Sequence, residues 1–280
     1  MDKKEYLKRL KKIVGFKRKT IKLFSEQIDN YNYIKCNFKL PKHTYNVGDN
    51  VLIKKGMFLR GEGSTSKIDN DKLKFISENG FITPDLLYKY NKNQKTPLTI
   101  PVWNIQKDIS LEEYINLYSG ATIKKVLLDR SIETELIPYN KIDYYVNNLT
   151  GVWKWTMEQT KENRFMPSLS STNVQFAFIM NTLDESLKPL LKNDIFDLSF
   201  DKKIIKTFIP NFFLRDFIYA KRDDFTTNRE SAILFGIPEN LIEGILIGRL
   251  YENNIQMLEY IKTLFPDCYI CNLDGKVIMK

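Results

Sequence analysis

The stretch SAILFGIPENLIEGILIGR, residues 231–249, sets the fold class. Its first seven residues form a short apolar run that reads as a strand. The segment Pro238-Glu239-Asn240 reads as a turn, and LIEGILIGR reads as a second strand. The remainder of the carboxyl end alternates differently. The sequence NIQMLEYIKTLF has helical spacing, and CYICNLDGKVIM reads as a hairpin turning at Asp274-Gly275. Strands joined now by a turn and now by a helix predict an α+β chain, without a regular βαβ alternation.

Toward the amino end, VLIKKGMFLRG at 51–61 predicts one or two short strands after the turn-forming NVGDN. NDKLKFISENGF predicts a helix with Leu73, Ile76 and Phe81 on one side and Gly80 as its stop. In SLEEYINLYSG, Ser110 is the expected N-cap, Glu113 holds the capping-box position and Gly120 ends the helix. The TPDLLYKYNKNQKTP stretch reads as a polar connection, residues 121–150 are mixed, and TGVWKWTMEQTKEN reads as turn then helix. NVQFAFIMNTL fits helix or strand equally. The long segment from Pro189 to Phe225 reads as predominantly helical, with Pro210 starting a new element. No internal repeat stands out.

The chain has 280 residues, 43% hydrophobic and 28% charged, which is the range of a folded globular protein. Its net charge of +9 is unevenly placed. Residues 1–24 carry ten basic side chains against Asp2 and Glu5, a net +8 that leaves about +1 for all the rest. Leu7, Leu10, Val14, Ile21, Phe24 and Ile28 fall at helical spacing over 4–30, with Gly15 a candidate kink, so a basic amphipathic helix is expected there and a loop over 31–50. The division expected is a basic helical segment over 1–35 and an α+β domain over 36–280. The basic helix either packs on the body with a solvated lysine face or contacts an acidic surface or nucleic acid. No signal peptide and no membrane-length apolar run is visible, and three cysteines are too few for a disulfide framework. A soluble, cytoplasmic protein is the expectation.

Several chemistries are disfavoured by the residues present. His43 is the sole histidine, so a zinc site needing two imidazoles is out of reach, and nothing around it suggests a nucleophile elbow. Cys268 and Cys271 lack a second pair and read as small buried residues. Neither a P-loop nor a Rossmann glycine pattern occurs. Three segments in order remain: a strand ending Leu59-Arg60-Gly61, the serine-dense RFMPSLSSTNVQFA at 164–177, and TTNRESAILFGIP at 226–238, where Glu230 leads into a strand.

In these three segments the chain resembles the ADP-ribosyltransferase superfamily, in its arginine–serine–glutamate branch. The resemblance covers about residues 50–85, 164–180 and 226–248. It implies a split β-sheet core with helical insertions that binds NAD between the Arg60 strand and the Glu230 strand. By the resemblance, Arg60 holds a phosphate or ribose of NAD, Gly61 lets backbone approach the ligand, and Ser168 or Ser170 positions the glutamate. Glu230 bonds the nicotinamide ribose and favours departure of nicotinamide. Phe165, Phe176 and Tyr219 are the candidate aromatics for stacking on nicotinamide. A guanidinium suits phosphate because it can fork onto two oxygens, and a carboxylate stabilises the positive charge that builds on a ribose ring losing its base. Asn228 stands where the family often has Glu or Gln that activates the acceptor. The implied reaction is therefore NAD hydrolysis or transfer to an unusual macromolecular acceptor, such as a nucleic-acid base, in a bacterial or phage toxin or host-modifying enzyme. The alternative is a non-catalytic module that uses the basic helix to bind nucleic acid or an acidic protein.

Overall fold

The computed structural model describes residues 4, 7–8, 18–39, 43–63, 70–82, 99–105, 107–118, 121–126, 132–137, 174–187, 189–191, 230–234 and 236–280. In chain order the described elements are α1 (Arg18–Asn37), β1 (Leu52–Ile53), β2 (Phe58–Gly63), α2 (Asn70–Asn79), β3 (Phe81–Ile82), β4 (Thr99–Asn104), β5 (Ile109–Ser110), α3 (Leu111–Tyr118), β6 (Ala121–Val126), β7 (Ile132–Ile137) and β8 (Val174–Met180). They continue with β9 (Glu230–Leu234), β10 (Gly236–Ile237), β11 (Ile242–Ile247), α4 (Arg249–Glu252), α5 (Ile255–Leu264), β12 (Tyr269–Cys271) and β13 (Val277–Met279). The chain is a mixture of helices and sheet, as expected, and it divides into two interleaved units. The first comprises Met1–Pro41, Asp71–Asn104 and Asn181–Ile242. The second comprises Lys42–Asn70, Ile105–Met180 and Glu243–Lys280.

In the first unit, α1 runs to Asn37 where a loop was expected from residue 31, so the boundary drawn at residue 35 falls inside a helix. The Asn- and Tyr-rich composition of 30–37 suggests a break. Yet Ile28, Tyr31 and Ile34 continue the apolar stripe at three-residue spacing, and all three are buried. The end of this helix is tied down by other parts of the unit. The Asn240 amide donates to the carbonyls of Ile34 and Phe38 at 3.1 and 2.6 Å, and the Lys35 ammonium pairs with Glu239 at 2.8 Å. The α2 helix forms as its spacing predicts. Leu73 and Ile76 are buried, and Gly80 ends the helix at φ +64° with its N–H donating to the Ile76 carbonyl. A side chain at 80 is doubly excluded, since its Cβ would lie 2.1 Å from the Ile237 carbonyl oxygen. Among its described residues this unit also has two antiparallel ladders, β3 with β10 and β4 with β9.

In the second unit five strands lie in the order β13–β12–β11–β8–β2. The β2–β8 ladder is antiparallel and β11–β12 is parallel, the helices α4 and α5 lying between the latter two in sequence. β8 resolves the ambiguity of NVQFAFIMNTL in favour of strand. Phe176 to Met180 are all buried, which a strand covered on both faces requires and periodicity cannot distinguish from a buried helix. β11 is buried at every one of its six positions. The Asn254 side chain caps α5 by accepting from the Met257 N–H at 3.1 Å, and Leu258 and Ile261 fill its inner side. β12 and β13 form the predicted hairpin, with Gly275 at φ +71°. Within residues 121–150, mixed in sequence, β6 and β7 pair antiparallel. Ser110 caps α3 as expected, its hydroxyl accepting from the Glu113 N–H at 3.1 Å.

The polar connection over 83–97, the helix expected near 151–163 and most of the helical region to Phe225 lie outside the described residues.

Candidate functional site

Arg60 occupies the middle of β2, directly opposite Phe178 of β8, and is half-buried. Cross-strand partners share a face, so Arg60 lies on the side of the ladder that carries Phe58, Phe178 and Met180. That face is apolar at the neighbouring positions. The Phe178 ring meets that of Phe265 at 5.7 Å between centroids, and Phe176 stacks on Tyr251 at 5.8 Å. Gly61 pairs with Ala177, which keeps bulk off the ladder there. The register shifts between Glu62 and Gly63, where Gly63 comes opposite Val174.

Glu230 belongs to the first unit, where it is the first residue of β9 and pairs with Trp103 of β4. Of the other residues expected at the site, Phe165, Ser168 and Ser170 lie outside the described residues, as does Tyr219. Phe176 is buried, 4% exposed, in β8 against Tyr251, a core position rather than an open stacking surface.

A second constellation, within the second unit, was not anticipated. Glu243 is the second residue of β11 and is 1% exposed. Its carboxylate lies 3.0 and 3.2 Å from Nδ1 of His43, and accepts from the Tyr269 hydroxyl at 3.3 Å. The Tyr269 ring reaches it by crossing Gly244, where a Cβ would sit 2.4 Å from two ring carbons. Tyr45 closes one side of the phenol, edge-on at 4.9 Å between centroids, and its own hydroxyl donates to the Leu52 carbonyl. Burial, followed by the neighbouring Glu243 charge, raises the Tyr269 phenol well above its ordinary pKa, so it remains a hydrogen-bond donor. A carboxylate removed from water costs several kcal/mol unless donors surround it. Here a histidine, a tyrosine and a glycine that makes room for the tyrosine all serve one carboxylate. The signal in sequence was the acid itself: Glu243 is the sole charged residue in the apolar run LIEGILIG.

Cys268 and Cys271 are buried free thiols, the place a small apolar residue would take, and burial pushes the Cys271 thiol far up in pKa. Among the described residues no group of three or more His, Cys, Asp or Glu is placed to hold a metal ion, and no helix is long and apolar enough to cross a membrane.

The chain matches no protein-family model, no curated protein and no solved structure.

Proposed function

We propose that this chain is an NAD-dependent mono-ADP-ribosyltransferase or NAD glycohydrolase, built on an ADP-ribosyltransferase-like split sheet with helical insertions. Arg60 binds a phosphate or ribose of NAD, Ser168 or Ser170 positions the catalytic carboxylate, and Glu230 stabilises the ribose cation as nicotinamide leaves.

The observation that carries this reading is the β2–β8 ladder. It pairs the strand of the arginine motif with the strand that comes directly after the serine motif, opposing Arg60 to Phe178 and Gly63 to Val174. Two segments more than 100 residues apart in sequence thus become neighbours, in the order of motifs that the resemblance rests on. The placement of Glu230 at the first position of a strand also supports it, because a strand end is where a carboxylate can meet a ligand while the rest of the strand is paired.

The test is incubation of the purified protein with NAD and chromatographic detection of free nicotinamide. Wild type releases nicotinamide, Glu230→Ala does not, and Arg60→Ala raises KM for NAD through loss of the forked contact. Absence of turnover in the folded wild-type protein overturns the reading. The charge of residues 1–24 favours one second reading, a nucleic-acid-binding module without catalysis. Its mark is salt-sensitive nucleic-acid binding that deletion of residues 1–24 abolishes.

A further inference from the structure

Arg60 and Phe176 lie on the same face of the β2–β8 ladder. Arg60 is opposite Phe178 and Glu62 is opposite Phe176, so Phe176 is a diagonal neighbour of Arg60, within reach of a long side chain. The step from Arg60 to Phe176 leads toward the end of the ladder where β2 finishes as Gly61-Glu62-Gly63 and β8 begins at Val174. Phe176 is 4% exposed, so its own ring offers no surface to a ligand. The ring that covers it is Tyr251 of α4, stacked at 22° with 5.8 Å between centroids. Tyr251 is half-buried, and among the described residues Phe176 is the one ring stacked on it. An aromatic ring has two faces, and Phe176 takes one of them. The next residue of α4, Glu252, buries its Oε2 with no hydrogen-bond donor among the described residues. Arg60, Phe176, Tyr251 and Glu252 all belong to the second unit.

A nucleotide presents an anion and a planar base, joined by a ribose with hydroxyl donors. A guanidinium forks onto the phosphate, and a tyrosine ring stacks on the base whatever its identity. Resting on the reading that Arg60 binds NAD, we propose that Tyr251 is the residue on which a planar ring of NAD, adenine or nicotinamide, stacks. With Arg60 it forms a phosphate-and-base subsite built wholly from the second unit. Tyr251 thereby takes the part expected of Phe176, which lies beneath it and fixes the plane of its ring. A ribose hydroxyl supplies the kind of donor that Oε2 of Glu252 lacks, and a buried acceptor left without one costs free energy. The contact is a stack of two rings and involves no proton transfer, so it is a binding role.

The test compares Tyr251→Leu, which keeps an apolar cover over Phe176 but no aromatic face, with Tyr251→Phe, which keeps the ring. Nicotinamide release gives KM for NAD, and circular dichroism checks that each variant is folded. Tyr251→Leu should raise KM by about 10-fold, and Tyr251→Phe should stay within about twofold of wild type. Calorimetric titration with ADP-ribose and with nicotinamide mononucleotide then assigns the ring. Weakened binding of the first alone by Tyr251→Leu places adenine on Tyr251, and of the second alone places nicotinamide there. A folded Tyr251→Leu protein with the wild-type KM overturns the proposal and leaves NAD cleavage standing. So does a Tyr251→Phe protein as impaired as Tyr251→Leu, since the hydroxyl and not the ring face would then be the contact. A folded wild-type protein that releases no nicotinamide overturns the NAD-cleaving function, and this proposal with it.

Discussion

Nδ1 of His43 lies 3.0 Å from Oε2 of Glu243, across 200 residues of sequence, and the glutamate side of this pair is cut off from solvent. Two neighbours in the sheet show what that arrangement demands. Gly244 sits under the Tyr269 ring, and Tyr269 commits its hydroxyl to the same carboxylate. The pair is therefore tied to the packing of β11 against β12, and its disruption should register in stability independently of any activity.

Removing one partner of a buried pair strands the other, which is more damaging than replacing both. Glu243→Ala is expected to cost about 3 kcal/mol, read as a lowered urea midpoint. His43→Ala, at the half-buried end of the pair, should cost less. The double variant should be less unstable than the sum of the two singles, because each single change leaves a polar group that the double change removes.

Gly244→Ala places a methyl group 2.4 Å from the Tyr269 ring and forces the ring or the strand to move. An overpacked core position of this kind costs about 1–3 kcal/mol. If the clash is the cause, the loss should be smaller in a Tyr269→Ala background, and a thermodynamic cycle over the four proteins measures the coupling directly.

Two other glycines separate backbone strain from crowding. Gly48 and Gly80 both have positive φ, +94° and +64°, but a Cβ at 48 meets nothing within 4 Å whereas at 80 it meets three backbone atoms within 2.6 Å. Alanine at 48 should cost about 1 kcal/mol, the penalty of the left-handed conformation alone. Alanine at 80 should cost several times as much. Chemical denaturation of the two variants side by side decides it.

How much of this was legible in the residues depends on whether the deciding interaction was local. Helix ends were legible because their signals lie within four residues. Ser110 caps α3, and Gly80 takes the left-handed position that only its lack of a side chain allows. The extension of α1 to Asn37 was not legible, because what holds it, the Asn240 amide on the Ile34 and Phe38 carbonyls, comes from more than 200 residues away. β8 was ambiguous for the same kind of reason. Burial on both faces erases the alternation that marks a strand, and only the partner strand β2 supplies the answer. At the candidate sites, Arg60 and Glu230 were visible as residues of a motif. Of the His43–Glu243–Tyr269 constellation only Glu243, a lone charge in an apolar run, stands out in sequence; its partners do not, since they come from two other segments with no motif at either.

Alkaline pH should unfold the protein through the buried Tyr269 phenol and the half-buried Tyr45 phenol. Burial raises the Tyr269 phenol well above its ordinary value, with the Glu243 charge adding to it, and burial also raises Tyr45. A raised acid holds its proton more tightly in the folded chain than in the unfolded one. Its contribution to stability is therefore complete below the unfolded value, about 10, and is lost as pH rises above that. The expected outcome is a stability that falls steeply above about pH 10. Phenolate absorbance near 295 nm should show a remainder of tyrosine that ionises only with unfolding. Tyr269→Phe should shrink that remainder by one tyrosine.

The three cysteines give a last test, of the packing around β12. Cys36 is exposed, whereas Cys268 and Cys271 are buried. The Cys271 thiol has its pKa pushed far up by burial and donates to the Ile245 carbonyl at 3.6 Å. A thiol reacts as its thiolate, so a buried thiol with a raised pKa is protected twice, by access and by ionisation. A disulfide-exchange reagent at neutral pH should therefore label one thiol per chain rapidly, and mass spectrometry of the peptides should place that label on Cys36. The other two should react only on the timescale of unfolding and become fast in denaturant. Rapid labelling of Cys271 in the native protein would mean that β12 is not covered as described. The buried setting of Tyr269, two residues earlier in the same strand, would then fail with it.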